Sequence, residues 1–90
     1  MAEPRSIISY HLGEYGRVKV KLAELLTKKG ITRNRLATLT GVKYHIIDKY
    51  YKGKLVQRAD LDFLAKVCYA LDCKVEDILE YEAPEETTEQ

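Results

Sequence analysis

The stretch Thr32-Arg-Asn-Arg-Leu-Ala-Thr-Leu-Thr-Gly-Val-Lys-Tyr-His-Ile-Ile-Asp-Lys-Tyr-Tyr-Lys-Gly53 decides how this chain folds. Thr32 is an N-cap residue, and the segment Arg33 to Thr40 sets Leu36, Ala37 and Thr40 on one helical face before Gly41 interrupts it. After Val42, the run Lys43 to Lys52 collects Ile46, Ile47, Tyr50 and Tyr51 on an apolar face and leaves Lys43, Tyr44, His45, Asp48 and Lys49 on the other, until Gly53 stops it. Two short helices are therefore expected, joined across one glycine. Ala37 is small where these helices must approach, Gly41 permits the sharp turn, and Val42 and Ile47 plug the inside of the angle. Asp48 is spaced to pair with Lys52 along the helix.

Upstream, Leu22, Ala23, Leu25 and Leu26 recur at helical spacing from Val20 to Lys29, and Gly30 stands where a helix C-terminus wants a left-handed residue. Downstream, Lys54 to Ala59 shows no helical period and reads as an ordered loop. Asp60 then caps a longer helix whose expected core face is Leu61, Leu64, Val67, Cys68 and Leu71. Asp72 suits a left-handed position at its end, and Val75 to Leu79 reads as a last short helix with Glu76 and Asp77 near its positive pole. Arg17-Val18-Lys19-Val20 and Glu80-Tyr81-Glu82 alternate polar and apolar residues, which suits a pair of short strands near the chain ends. Residues 1–16 fit neither period; Gly13 and Gly16 bracket a turn and favour a hairpin there. The chain divides into this extension, a helical domain over 17–82, and an acidic tail over 83–90 expected to be disordered.

Ninety residues, 46% of them hydrophobic, supply one core and no second. No segment approaches the roughly 20 apolar residues of a membrane-spanning helix. The N-terminus lacks the layout of a secretory signal, so a cytoplasmic protein with reduced cysteines is expected. The net charge of +1 conceals a segregation of signs. Residues 17–58 hold twelve basic and two acidic side chains, while residues 59–90 hold two basic and ten acidic ones. The basic middle attracts a polyanion, and the acidic end turns away from it.

Chemistry of other kinds finds little material. Cys68 and Cys73 lack the further Cys or His partners of a zinc site, and both are expected to be small buried thiols. Two histidines, no serine in the basic region, no glycine-rich phosphate loop and no paired carboxylates leave nothing to assemble into a catalytic centre. No enzyme activity, metal, cofactor or small-molecule substrate is expected. Tyrosines that lie mainly on the buried face of the third helix make no stacking platform for RNA.

The order Leu22-Ala-Glu-Leu-Leu, Gly30-Ile31, Leu36-Ala37, Gly41-Val42, Ile47, Gly53, Leu61-Asp-Phe-Leu, Ala70-Leu71 and Val75-Glu-Asp-Ile-Leu resembles the Cro/repressor (XRE) class of helix-turn-helix transcriptional regulators over Val20 to Leu79. The resemblance implies an all-α, compact five-helix bundle of the lambda-repressor-like DNA-binding type, with room for short terminal β-strands. It implies a sequence-specific regulator, most simply a repressor, that inserts the third helix in the major groove of double-stranded DNA as a homodimer. The family's base-reading positions match Lys43, Tyr44, His45 and Lys49, and its phosphate contacts match Arg33, Lys54 and Arg58. Lysine can donate to guanine O6 and N7, histidine can donate or accept, and tyrosine can pack on a thymine methyl. In the smallest relatives the terminal strands or last helix join the subunits, which here implies Val18, Val20, Leu79 and Tyr81.

Three departures from the family pattern stand out. Arg33 replaces a common Gln, and Lys43 replaces a capping Ser or Thr at a cost of about 1 kcal/mol. Leu26 and Tyr51 replace an Arg and Glu pair linking the first and third helices, and the two apolar groups are expected to touch. The competing reading is a protein-interaction module, an antitoxin-like or anti-repressor partner built on the same helices. The DNA reading requires Arg33, Lys43, Lys49, Lys54 and Arg58 on one surface with few acids between them.

Overall fold

The computed structural model describes residues 15–54 and 56–84. The hairpin expected in 1–16 therefore lies, except for Tyr15 and Gly16, outside the described residues, as does most of the acidic tail. Five helices follow the expected order: α1 (Leu22–Lys29), α2 (Arg33–Thr40), α3 (Tyr44–Lys52), α4 (Leu61–Leu71) and α5 (Val75–Ile78). Two strands flank them, β1 (Arg17–Val20) and β2 (Leu79–Glu82). No described helix is long and apolar enough to cross a membrane.

Local chemistry sets most helix ends. The Thr32 hydroxyl accepts the backbone N–H of Arg35 at 3.0 Å, and the Asp60 carboxylate accepts that of Asp62 at 3.0 Å. Gly41, at φ +74°, turns the chain between α2 and α3 in a conformation that costs other residues a steric penalty. Asp72 holds the left-handed end of α4 at φ 51°. Lys43 makes no side-chain cap to α3, which begins one residue later than expected. Helix α5 stops at Ile78, and Leu79 already belongs to β2.

The strands are antiparallel, with Val18 opposite Tyr81 and Val20 opposite Leu79. They close the chain by joining its two ends beside α5, where the Lys21 N–H donates to the Ile78 carbonyl at 2.6 Å. Alternation gives this sheet one apolar face, of which the Val20 and Leu79 half packs on the core while Val18 and Tyr81 stand exposed. The other face pairs Arg17 with Glu82 and Lys19 with Glu80. Gly16 enters the sheet at φ +85°, and a Cβ there would lie 2.3 Å from the Glu82 carbonyl.

One core unites Leu22, Leu25 and Leu26 of α1, Leu36 of α2, Ile47 and Tyr50 of α3, four residues of α4, and Ile78. The α4 contribution corrects the sequence expectation. Phe63, Leu64, Val67 and Leu71 face inward, while Leu61 is 79% exposed and Cys68 only half-buried. The Phe63 ring stacks on Tyr50 with centroids 4.1 Å apart and planes 11° from parallel. The Tyr50 hydroxyl in turn accepts the Asp60 N–H at 3.0 Å, so one buried aromatic pair fixes the start of α4 against α3. Burial and the neighbouring Cys68 push the Cys73 thiol up to about 11, which keeps it protonated and unreactive at neutral pH.

Candidate nucleic-acid interface

Helix α3 buries Ile47 and Tyr50 and half-buries Ile46 and Tyr51, so its opposite face must look outward. Tyr44, His45 and Lys49 are exposed on that face, and Lys43 precedes them at the N-cap. The four expected base-reading residues thus occupy one helix and its entry turn. Lys52, which the sequence reading assigned only to an ion pair, shares this exposed face. Lys54 follows immediately after Gly53, also exposed. The Lys49 ammonium lies 5.9 Å from the centroid of the Tyr50 ring.

Arg33 has a different neighbourhood from the one its sequence position suggested. Its guanidinium donates to Asp48 across the gap between α2 and α3 and lies 4.2 Å from the centroid of Tyr51, with the Tyr44 ring 5.9 Å away. Asp48 also pairs with Lys52 at 3.1 Å. A phosphate-contact candidate is therefore already a clamp between the two helices of the motif. Leu26 and Tyr51, expected to meet, line one cleft of about 300 Å³ beside this clamp. The pairing of Arg33 with Asp48 joins residues fifteen apart and had no local signal in the sequence.

The clamp carries a pH signature. Hydrogen bonds from Lys52 and then Arg33 outweigh partial burial and hold the Asp48 carboxyl below its ordinary value of 3.8. A depressed folded-state value means that the pair's stabilisation is fully present above the unfolded value near 3.8 and fades as pH falls through the folded one. Asp48→Asn is therefore expected to flatten the loss of stability in the acid range below about pH 4, measured as melting temperature against pH. An acid limb as steep as that of the parent chain would show that Asp48 contributes nothing there.

Arg58 is exposed in the loop between α3 and α4. It lines a groove of about 700 Å³ with Tyr15, Arg17, Val18 and Val56, beside β1. The sheet end also absorbs acidic charge: Arg17 pairs with Glu82 at 3.0 Å and Lys21 with Glu80 at 3.8 Å. The acidic residues of β2 thereby neutralise cations away from α3.

Acids do border the interface. Asp60 and Asp62 share a cleft of about 370 Å³ with Lys43 and His45. Each is already engaged, Asp60 in capping α4 and Asp62 with Lys66 at 2.9 Å. Among the described residues, no carboxylate lies within ion-pair distance of Lys43, Lys49 or Lys54. Three unneutralised ammonium groups on α3 and the turns at its two ends form an electrostatic surface suited to phosphates and base edges.

Comparison with known proteins agrees with this fold. A candidate DNA-binding protein from Bacteroides fragilis has a crystal structure that aligns with 71% of this chain and 100% of its own, at a TM-score of 0.62 and 22% identity. The crystal structure of the transcriptional regulator VanUg aligns with 84% of this chain and 97% of its own, at a TM-score of 0.62 and 27% identity. No curated protein matches. The Cro/C1-type HTH DNA-binding domain matches residues 21–84, a span that runs from the residue before α1 past the end of β2. With all five helices and their turns inside that match, the chain belongs to the Cro/C1-type helix-turn-helix family.

Proposed function

We propose that this protein is a sequence-specific DNA-binding transcriptional regulator, a non-catalytic cytoplasmic repressor that acts by occupying its operator as a homodimer. The observation that carries the reading is the exposed, unneutralised set Lys43, Lys49 and Lys54 on and around a helix whose other face is locked into the core. A major groove about 12 Å wide accepts one α-helix. Inserted there, α3 presents Lys43, Tyr44, His45 and Lys49 to base edges. Lys54 contacts phosphate, and so does Arg33, because a guanidinium has five N–H donors and its bond to Asp48 leaves others free. Arg58 reaches phosphate only at the outer edge of the footprint, beside Arg17.

A single domain of this size covers one half-site, so a two-fold pair reading half-sites about 34 Å apart is the economical arrangement. The test is selection of bound duplexes from a random DNA pool at moderate salt. Enrichment of a motif with two half-sites one helical turn apart is the expected result. Weak, motif-free binding that disappears as salt rises would overturn the reading and favour a protein partner for the same helices.

A further inference from the structure

The outward face of α4 is apolar where a solvent-facing helix should be polar. Leu61 is 79% exposed and Tyr69 92% exposed, and with Ala65 between them they form a stripe at four-residue spacing, opposite the buried Phe63, Leu64, Val67 and Leu71. Beside this stripe runs a groove of about 510 Å³ between the end of α2 and α4, lined by Leu39, Thr40, Ala65, Lys66, Tyr69 and Ala70. Leu39 is itself 44% exposed. The sheet surface implied by the family resemblance offers less, since Val20 and Leu79 are already spent on the core.

We propose that this face of α4 joins two copies of the chain, with the helices antiparallel about a two-fold axis near Ala65; the assignment rests on the homodimer reading above. The pattern is self-complementary under that symmetry. Reversing one helix about Ala65 sets Leu61 of each copy against Tyr69 of the partner subunit, at the mouth of its groove, and brings the small Ala65 side chains together where the helices cross. Asp62 and Lys66 lie along one edge of the stripe, paired with each other at 2.9 Å within the helix. In the antiparallel pair that edge meets its own reversed copy, so Asp62 comes within about two residues' rise, ~3 Å along the helix axis, of Lys66 of the partner subunit. An unrelated partner would have no reason to match this reversal of charge. Lys66 also lines the cleft that holds Lys43 and His45. One helix face and a groove fall short of the roughly 800 Å² per partner buried in stable complexes, so the dimer is weak in solution and strengthened on DNA.

The test uses charge exchange in the full chain, followed by sedimentation at protein concentrations of order 100 µM, where weak dimers with millimolar to micromolar constants become visible. Asp62→Lys and Lys66→Asp each place like charges across the axis and are expected to weaken self-association at least tenfold. Mixed in equal amounts, the two variants are expected to associate again, because the edge of one is then cationic at both positions and the edge of the other anionic at both; the intrahelical pair, lost in both variants, cannot produce that rescue. Both sites are exposed, and circular dichroism verifies that the variants fold. Tyr69→Ser supplies an uncharged further variant expected to weaken the dimer as well. A wild-type chain that remains monomeric alone and on the selected duplex overturns the homodimer reading itself. A wild-type dimer insensitive to all three variants, or one abolished instead by Val18→Asp in the sheet, overturns only the assignment to α4.

Discussion

Phe63→Ala is expected to lower the unfolding free energy by about 3–5 kcal/mol, the range for truncating a buried aromatic side chain. Against a total of about 5–15 kcal/mol for a domain of ordinary stability, that loss leaves a marginal fold. Phe63 is 3% exposed and stacks on Tyr50, whose hydroxyl holds the first turn of α4. Removing the ring opens a cavity and loosens the anchor of the loop between α3 and α4. Leu61→Ala, two residues away, is expected to change stability by less than about 0.5 kcal/mol, because that side chain is 79% exposed. Urea titrations at low protein concentration, where self-association does not enter, measure both. Equal losses would mean that α4 is rotated toward the face that periodicity alone suggested.

The largest effect on binding belongs to Lys49. Lys49→Ala is expected to weaken binding to the selected duplex by about 1–3 kcal/mol, up to roughly 100-fold, while leaving affinity for random duplex nearly unchanged. The reason is position: Lys49 stands exposed on α3 one turn beyond His45, within reach of base edges. Lys54→Ala, in the turn after α3, is expected to weaken both duplexes alike and to reduce the slope of log affinity against log salt by about one. Titrations at several salt concentrations with both duplexes separate the two roles. If both variants affected random and selected DNA equally, the division between base reading and phosphate contact would fail.

The helix-turn-helix segment was legible because its determinants are local. Thr32, Gly41 and Gly53 mark ends through backbone conformation and capping, which depend on residues a few positions away. The paired strands were legible too, from alternation at Arg17–Val20 and Glu80–Glu82, although the residues that meet are about sixty apart. Helix α4 was misread because two stripes fit the helical period equally. Leu61, Leu64, Val67, Cys68 and Leu71 form one, and Phe63, Leu64, Val67 and Leu71 form the other. Only Tyr50, placed by α3, selects between them. Arg33 and Arg58 were grouped with Lys54 by the family resemblance, whereas the fold sets the first against Asp48 and the second beside β1.

By itself the sequence determined the number and order of helices, the turn at Gly41, the segregation of charge and the outward face of α3. These follow from short-range sterics, capping and periodicity, which act within a turn or two of the chain. The tertiary structure decided which face of α4 is buried, which cations are neutralised and which remain available, and that an apolar stripe is left uncovered. Those outcomes depend on which side chains meet across elements, and neither packing nor Coulomb pairing is written in the spacing of residues along one helix.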